Sequence, residues 1–294
     1  MITFHNNTIS DKSFTTSIII PTWNNLPFIK LCVDSLKKNS FYAHQIILHI
    51  NDGSDGTLEW AKANNLDYTH SEENVGICIA CNAASSMAAT DYIVYLNDDM
   101  YACPDWDKYL MDAIQHYGKN DFYFSATMIE PVYSGNKCTA PPFNFGDSPE
   151  NFQEETLLKR YPEFIRPDWS GSSWPPSIMH KTLWDMVGGF SIEFSPGMYS
   201  DPDLSMKLWM TGCRNFRGIG NSLFYHFMSK STKRIKKNDG RKQFLKKWGI
   251  SSSLFYKHYL LLGQDYKGLL GKPERNLKYK IGELKCKVKL MLNI

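Results

Sequence analysis

Carboxylate and amide side chains directly follow three apolar runs of the sequence, at Asn24, at Asp52 and at Asp98–Asp99. Two adjacent ionised carboxylates repel each other, so the Asp98–Asp99 pair is unfavourable unless a cation or hydrogen bonds compensate it. Mg²⁺ and Mn²⁺ accept hard oxygen ligands and keep open positions for water and for a diphosphate. The pair therefore favours a divalent metal that bridges a diphosphate, whereas a simple polar turn is the alternative for this segment taken alone.

A second group of residues could move a proton. Asp201 and Asp203 precede a stretch with helical spacing, and a carboxylate held rigidly there could take the proton of a hydroxyl group. The alternative for Asp203 is a helix-start carboxylate that the helix dipole stabilises. His226 has the alternative of an ordinary strand-end histidine, although the lysine- and serine-rich segment after it favours a role near an anion.

The elements that must position these residues alternate between strands and helices. The β-branched runs Ser17–Ile20, Gln45–Ile50 and Asp91–Leu96 predict buried strands of a parallel sheet. Between and after them, the spacing predicts helices over residues 26–38, 57–64 and 76–89, whereas residues 131–176 predict loops or a partly structured insertion. Because ligands of such α/β sheets collect at the carboxyl ends of the strands, the three polar segments mark a binding site.

The motifs and their order closely resemble the inverting glycosyltransferase family 2. The resemblance covers about residues 15–250 and rests on several short motifs in the family's order, which are Ser17 to Asn25, Asn51 to Thr57, Asn74 to Asn82, Asp91 to Asp99, Gly188 to Phe190, Ser200 to Trp209 and Tyr225 to Thr232. Each motif alone is weak, but this many in order is improbable by chance.

The resemblance implies a GT-A fold, which is Rossmann-like with a mainly parallel central sheet flanked by helices. It implies a nucleoside diphosphate sugar donor, a Mn²⁺ or Mg²⁺ cofactor, and a glycan or lipid-linked acceptor, as in bacterial surface-polysaccharide assembly. It assigns Asp201 as the general base and Asp99 and His226 to the metal. Thr22 and Asp52 match positions at the nucleotide base, and the residues expected to bind the donor are Pro21, Thr22, Asn24, Asp52, Gly76, Asn82 and Asp98.

Three positions depart from the family pattern: Asn97 replaces a frequent Asp, Ser200 replaces the Glu before Asp201, and Cys81 replaces an Arg. The first two keep open the alternative of a catalytically decayed protein that binds a sugar nucleotide or a glycan. A nucleotidyltransferase is disfavoured, since no glycine-rich loop with Arg and Lys follows the first strand.

Composition and charge divide the chain in two. The 294 residues are 43% hydrophobic, which excludes dominant disorder. Residues 1–229 carry a net charge of −11, and residues 230–294 carry +14. We predict a GT-A domain over residues 1–229, with a nucleotide-binding half over about 15–100 and an acceptor half over about 101–229, followed by a basic, mainly helical extension over 230–294. The sequence shows no secretory signal and no membrane span, and its seven cysteines are scattered, so we expect a cytoplasmic protein. Cys78 and Cys81 are predicted to be buried positions on a helix.

The basic extension predicts a helix with one apolar stripe. Its members follow helical spacing, with lysines around them, and are Leu277, Ile281, Leu284, Val288 and Met291. The pattern favours a helix on an anionic membrane surface, at the inner face of the cell membrane, whereas packing on the body or on a partner is the alternative. Nucleic-acid binding is disfavoured because no recognisable motif accompanies the lysines.

Overall fold

A computed structural model describes residues 1–7, 13–228 and 238–293 of the chain. Within these residues the strands are β1 (Ile2–His5), β2 (Thr16–Trp23), β3 (His44–Asn51), β4 (Asp67–Ser71), β5 (Tyr92–Tyr95), β6 (Met100–Ala102), β7 (Phe122–Ile129), β8 (Trp169–Ser170), β9 (Ser177–His180) and β10 (Asn215–His226). They form one sheet in the order β1-β4-β3-β2-β5-β9-β7-β10-β6, and β8 pairs with β10.

Most strands of the central sheet point the same way. β2 is parallel to β3 and β5, β3 is parallel to β4, and β7 is parallel to β10. Strand β9 is antiparallel to both β5 and β7, so these two strands share a direction. The carboxyl ends of β2, β3, β4, β5, β7 and β10 therefore lie along one edge, and the predicted α/β class with a mainly parallel sheet is confirmed.

The helices cover both faces of the sheet. They are α1 (Leu26–Asn39), α2 (Thr57–Ala63), α3 (Ile77–Ser85), α4 (Trp106–Tyr117), α5 (Glu154–Arg160), α6 (Lys181–Val187), α7 (Ser200–Met210), α8 (Gly240–Trp248), α9 (Ser252–His258) and α10 (Leu277–Met291). Successive side chains of a strand point to opposite faces. Accordingly, Ile18 and Ile20 pack with residues of α1 and α4, whereas Ile19 packs with residues of α3 and α7.

Local signals explain where several elements begin and end. Pro27 stands in the first turn of α1, where its missing N–H costs nothing, and Lys37 and Lys38 stand in the last turn. Helix α3 ends at Ser85 and so is shorter than the predicted 76–89. Past its end the backbone N–H groups of Met87 and Ala88 bond three residues back, and that of Ala89 donates to the Gln45 side chain at 2.9 Å.

The insertion at 131–176 is partly structured, the second of the two forms predicted for it. It contains α5, β8 and two short 3₁₀ turns, Pro149–Asn151 and Tyr161–Phe164. Its side chains Phe145 and Leu157 are buried in a third apolar cluster with Tyr225 of β10.

The basic extension is helical in its described part, and its first two helices are packed into the body. Phe244 of α8 and Phe255 of α9 lie in the same apolar cluster as Leu208 of α7. No helix in the described ranges combines the length and apolar character needed to cross a membrane. The seven cysteines are free and buried, including Cys78 and Cys81 on α3 as predicted.

Candidate active site

The predicted polar segments meet at one edge of the sheet. Trp23, Asn51 and Tyr95 end β2, β3 and β5, and each is followed by one of the segments. The carboxyl ends of two further strands lie at this edge: β10 ends at His226, and β7 ends one residue before Glu130. Parallel strands thus collect side chains that lie far apart in the sequence.

Asn24 and Asp52 form one corner of the site. The Asn24 amide Nδ2 donates to Asp52 Oδ2 at 2.7 Å, and its Oδ1 accepts from the Gly53 backbone N–H at 2.9 Å. Asn24 and Asp52 both have positive φ, a conformation that Asn and Asp tolerate in turns. The hydrogen bond from Asn24, followed by that from Ser54, lowers the pKa of Asp52 and keeps it an ionised acceptor.

Asp98, Asp99 and His226 form the acidic centre of the site. Asp98 and Asp99 lie between β5 and β6, and the β6–β10 pairing places Met100 opposite His226. His226 Nε2 consequently lies 3.5 Å from Asp99 Oδ2, and the backbone N–H of Phe227 donates to the Asp99 carbonyl at 3.1 Å.

Glu130 holds the other side of the histidine ring. Its Oε1 lies 3.2 Å from His226 Nδ1, and its Oε2 accepts from the Ser134 hydroxyl at 2.5 Å. Burial by itself lowers the pKa of His226, but the carboxylates of Asp99 and Glu130 outweigh it and raise that pKa to about 10. The negative charge gathered here favours a cation.

The donor set fits a divalent ion shared with a substrate. Two buried carboxylates provide the oxygen ligands that Mn²⁺ and Mg²⁺ accept, and the His226 imidazole, once a bound ion displaces its proton, provides a nitrogen ligand that Mn²⁺ accepts. Over the described ranges, no group of three or more His, Cys, Asp or Glu side chains has the arrangement of a complete metal site. Such ions commonly take one or two protein carboxylates and complete their shell with phosphate oxygens and water, so Asp99 and His226 would hold the ion together with a diphosphate.

Thr22 links the corner to the acidic centre. Its buried hydroxyl donates to Asp98 Oδ2 at 2.7 Å, and its backbone carbonyl accepts from Asn51 Nδ2 at 3.3 Å. Pro21, the residue before it in β2, is half-buried. Contact of Pro21, Thr22 and Asp98 with the donor stays a prediction.

Gly76 and Asn82 position α3 against the loops of the second half. Gly76 has φ of 79°, and a Cβ there would lie 2.8 Å from Cα of Pro196. Asn82 Nδ2 donates to the Phe190 carbonyl, and Asn82 Oδ1 accepts from the Phe190 N–H, both at 2.8 Å. Both residues thus have structural contacts, and their contact with a nucleotide stays a prediction.

Asp201 stands in the first turn of α7 with one buried oxygen, Oδ1, that has no hydrogen-bond partner. Burial raises its pKa to about 7, against the lowering effect of a backbone hydrogen bond. It lies near Tyr95, whose pKa is raised first by burial and then by the Asp201 charge, and Tyr95 donates to the Asn97 side chain at 3.3 Å. A carboxyl group that titrates near neutrality suits a general base.

Asp203 has the opposite environment. Its buried carboxylate accepts from Trp248 Nε1 at 2.8 Å and from the Ser191 hydroxyl at 2.6 Å, and it pairs with Lys247 Nζ at 2.9 Å. A carboxylate with these three partners joins α7 to α8 and serves the fold.

The three departures from the family pattern have structural contacts of their own. The Ser200 hydroxyl donates to the Gly197 carbonyl at 2.7 Å, Asn97 accepts from Tyr95, and Cys81 is buried on α3. With these contacts, Asp99 and Asp201 keep the positions described above. Residues 229–232, which continue the resemblance, lie outside the described ranges.

Sequence reasoning did not find Glu130, Lys247 or Trp248. Glu130 could have been found by the strand-end argument, because it directly follows the apolar run of β7. Lys247 and Trp248 carried no such signal, since nothing near them in the sequence indicates Asp203.

Solved structures of GT-A glycosyltransferases resemble the fold. A Staphylococcus aureus TarS structure, residues 1–349 in complex with UDP-GlcNAc, matches with a TM-score of 0.56 at 14% identity, over 78% of this chain and 63% of that one. GalNAc-T7 with UDP, GalNAc and Mn²⁺ matches with a TM-score of 0.58 at 14% identity, over 84% of this chain and 50% of that one. The chain thus spans half to just under two thirds of these structures, and at such identities the likeness establishes the GT-A fold.

Sequence comparison defines the family. The model of Glycosyl transferase family 2 matches residues 17–155. The uncharacterized glycosyltransferase YibD of Escherichia coli strain K12 is 32% identical over 279 residues, which cover 90% of this chain and 72% of YibD. The chain belongs to glycosyltransferase family 2.

Proposed function

We propose that the protein transfers a sugar from a nucleoside diphosphate sugar to a hydroxyl group of an acceptor, with inversion at the anomeric carbon. Two groups of residues carry this proposal. Asp98, Asp99 and His226 form an acidic centre at the sheet edge, and Asp201 at the start of α7 has a buried oxygen without a hydrogen-bond partner. The TarS and GalNAc-T7 structures contain UDP or a UDP-sugar, which supports a uridine nucleotide as the donor.

The reaction assigns one task to each group. Asp201 takes the proton of the acceptor hydroxyl while the hydroxyl oxygen bonds to the anomeric carbon, and the bond between that carbon and the diphosphate oxygen breaks with its electron pair leaving on the diphosphate. This single displacement inverts the centre. General-base assistance of this kind typically contributes about 10² to 10⁴ in rate.

The leaving diphosphate gains negative charge, and Asp99 and His226 would hold the ion that offsets it. A divalent Mn²⁺ or Mg²⁺, when bound, stabilises that charge by several kcal/mol. The presence of Mn²⁺ in the GalNAc-T7 structure supports manganese. Thr22 and Asp52 would meet the base of the nucleotide, and Asn24 would hold Asp52 in place through its hydrogen bond.

The acceptor that fits the family resemblance is a glycan or a lipid-linked glycan of the bacterial surface-polysaccharide type. A lipid-linked acceptor places the reaction next to a membrane, which agrees with a chain whose last 65 residues carry +14. We include a peripheral position at the inner face of the cell membrane in the proposal.

A donor screen tests the proposal. UDP-, GDP-, dTDP- and CMP-sugars are added with Mn²⁺ or with a chelator, and thermal shift, donor hydrolysis and the anomeric configuration of the product by NMR are measured. We expect one donor class to stabilise the protein in a Mn²⁺-dependent way and to be consumed with inversion. Binding without turnover on any acceptor would favour the decayed sugar-nucleotide-binding protein, and a retained configuration would overturn the single displacement.

A further inference from the structure

Helix α10 has one face attached to the body. Tyr279 and Cys286 are buried, and the Tyr279 hydroxyl lies 2.9 Å from that of Tyr259. Gly282 approaches α9 so closely that a Cβ there would collide with Leu254. These contacts fix the rotation of α10 about its axis.

The opposite face of α10 is apolar and exposed. Residues spaced by three or four positions share a helix face, and five residues with this spacing form the outer stripe. Their exposed fractions are 72% for Leu277, 47% for Ile281, 61% for Leu284, 45% for Val288 and 85% for Met291. The stripe predicted from the sequence therefore points away from the body, and packing on the body is not what covers it.

Lysines border the stripe on both sides. With about 100° between successive residues, Lys278 and Lys285 fall along one edge, and Lys280 and Lys287 fall along the other. All four are exposed. The acidic side chain of the helix, Glu283, is paired with Arg275 at 3.0 Å, so the lysine charge next to the stripe is not offset by it.

We propose that this face of α10 lies on an anionic lipid surface. The stripe would enter the boundary between headgroups and acyl chains, while the lysine stems extend along it and place their ammonium groups at lipid phosphates. Helix α10 itself carries five lysines and one glutamate, so the helix is attracted to the same surface.

Charge decides between the lipid surface and other occupants of the face. If two copies of the chain paired symmetrically through this face, the lysines of one copy would lie against the lysine-bordered face of the other, and like charges would repel. A nucleic acid would meet the lysines but would leave the apolar stripe in water. An anionic membrane satisfies both features.

This inference rests on the peripheral membrane position in the proposed function and names the surface that makes the contact. It is tested separately from the transfer reaction, because binding is measured without donor or acceptor. The full-length protein is floated with phosphatidylcholine vesicles that contain or lack phosphatidylglycerol. We expect the Leu284→Gln/Val288→Gln variant to bind anionic vesicles at least ~10-fold more weakly than wild type. The matched control, Met186→Gln/Met210→Gln, removes two apolar side chains that are 63% and 68% exposed elsewhere, and it should bind like wild type.

The charge is tested by a second matched pair. Lys280→Gln/Lys287→Gln should reduce binding to anionic vesicles and weaken its salt dependence, whereas Lys62→Gln/Lys119→Gln should change neither. All substituted side chains are exposed, so thermal midpoints near that of wild type verify folding. Equal binding of all variants, or equal binding to both vesicle types, overturns the proposal. So does a dimer in sedimentation velocity that is lost in Leu284→Gln/Val288→Gln when no vesicle binding is seen.

Discussion

Asp201 and Asp203 are two residues apart on one helix, and their surroundings give them different properties. Asp203 accepts from Ser191 and Trp248 and pairs with Lys247, whereas Asp201 keeps a buried oxygen without a partner. Hydrogen bonds and a cation stabilise an ionised carboxylate, and burial without partners destabilises it. Burial raises the pKa of Asp201 to about 7, so Asp201 is the candidate base.

Replacement of Asp201 by Asn should lower turnover by ~10² to 10⁴ and leave donor affinity nearly unchanged, because size is kept and basicity is lost. Since the base must be ionised and burial raises its pKa to about 7, kcat/KM of wild type should rise with pH up to that value. This rise should be absent in Asp201→Asn. The measurement is a pH profile of transfer from the donor identified by screening.

Asp203→Asn is the comparison for that experiment. It should cost stability, on the order of 1–3 kcal/mol, because Lys247 and Trp248 lose a charged partner, and it should cost turnover far less. If Asp203→Asn abolishes transfer and Asp201→Asn retains it, the roles are reversed.

The raised pKa of Asp201 also predicts a pH-dependent stability. The unfolded carboxyl ionises near its ordinary value of 3.8, whereas the folded one keeps its proton to about 7, so stability falls as pH rises between these values. Asp201→Asn removes this cost and should be more stable than wild type by up to about 4 kcal/mol at about pH 8, and nearly equally stable at about pH 4. Urea unfolding of both proteins at the two pH values measures the difference, and parallel curves would contradict it.

Asp99 is the residue on which metal-dependent binding should depend. Asp99→Asn removes a charged ligand, so the affinity for a nucleoside diphosphate in Mn²⁺ should fall at least ~10-fold, and the affinity in chelator should be unchanged. Asp112→Asn, on the exposed side of α4, is the matched control. Calorimetric titrations that agree in Mn²⁺, in chelator and in the variant would refute the metal assignment.

At the scale of elements, the site exists because six strand ends share an edge and because α3 is tied to the loop that leads to α7. The two hydrogen bonds between Asn82 and the Phe190 backbone make that tie. Any displacement of this loop would move Asp201 relative to the acidic centre.

Asn82→Ala separates a structural role from a binding role. Because it leaves two backbone groups of Phe190 without partners, we expect a loss of about 1–3 kcal/mol in the free energy of unfolding. Asn64→Ala, which loses one exposed contact to Trp60, is the control and should cost less. A variant of unchanged stability with weaker nucleotide affinity would show instead that Asn82 contacts the donor.

At the scale of the whole molecule, the basic extension has two parts with different contacts. Helices α8 and α9 bury Phe244 and Phe255 against α7, and α8 supplies both partners of Asp203 from the extension. Helix α10 attaches through Tyr279 and Cys286 and leaves its outer stripe exposed. A domain boundary at residue 229 stays a prediction, and its test is a pair of truncations.

A chain that ends after Gly271 should fold and keep turnover on a soluble acceptor analogue, because it retains α8 and α9. A chain that ends at residue 238 should unfold or aggregate, because the cluster around Leu208 loses its cover and Lys247 is removed from Asp203. Circular dichroism melts of the two proteins distinguish these outcomes. Stable folding of the shorter chain would establish residues 1–238 as an independent domain.

Local order along the chain was predictable because its signals are local. β-Branched runs, helical spacing and turn residues placed β2, β3, β5, α1 and α2 within a few residues of their observed bounds, and the stripe of α10 was placed on one face. The order of the strand-end motifs also sufficed for the family, and the strand-end argument placed Asn24, Asp52, Asp98 and Asp99 at one edge of the sheet, where their contact with a substrate stays a prediction. Such patterns depend on neighbours one to four positions away.

Tertiary structure alone decided which distant side chains meet. Glu130 contacts His226 across 96 residues of sequence, and Trp248 contacts Asp203 across 45. Strand order and helix docking set these pairs, and both depend on burial summed over the whole core, which no local pattern encodes. For the same reason, the sequence showed two aspartates in one turn of α7, and only the folded chain made one a partnered carboxylate and the other a candidate base.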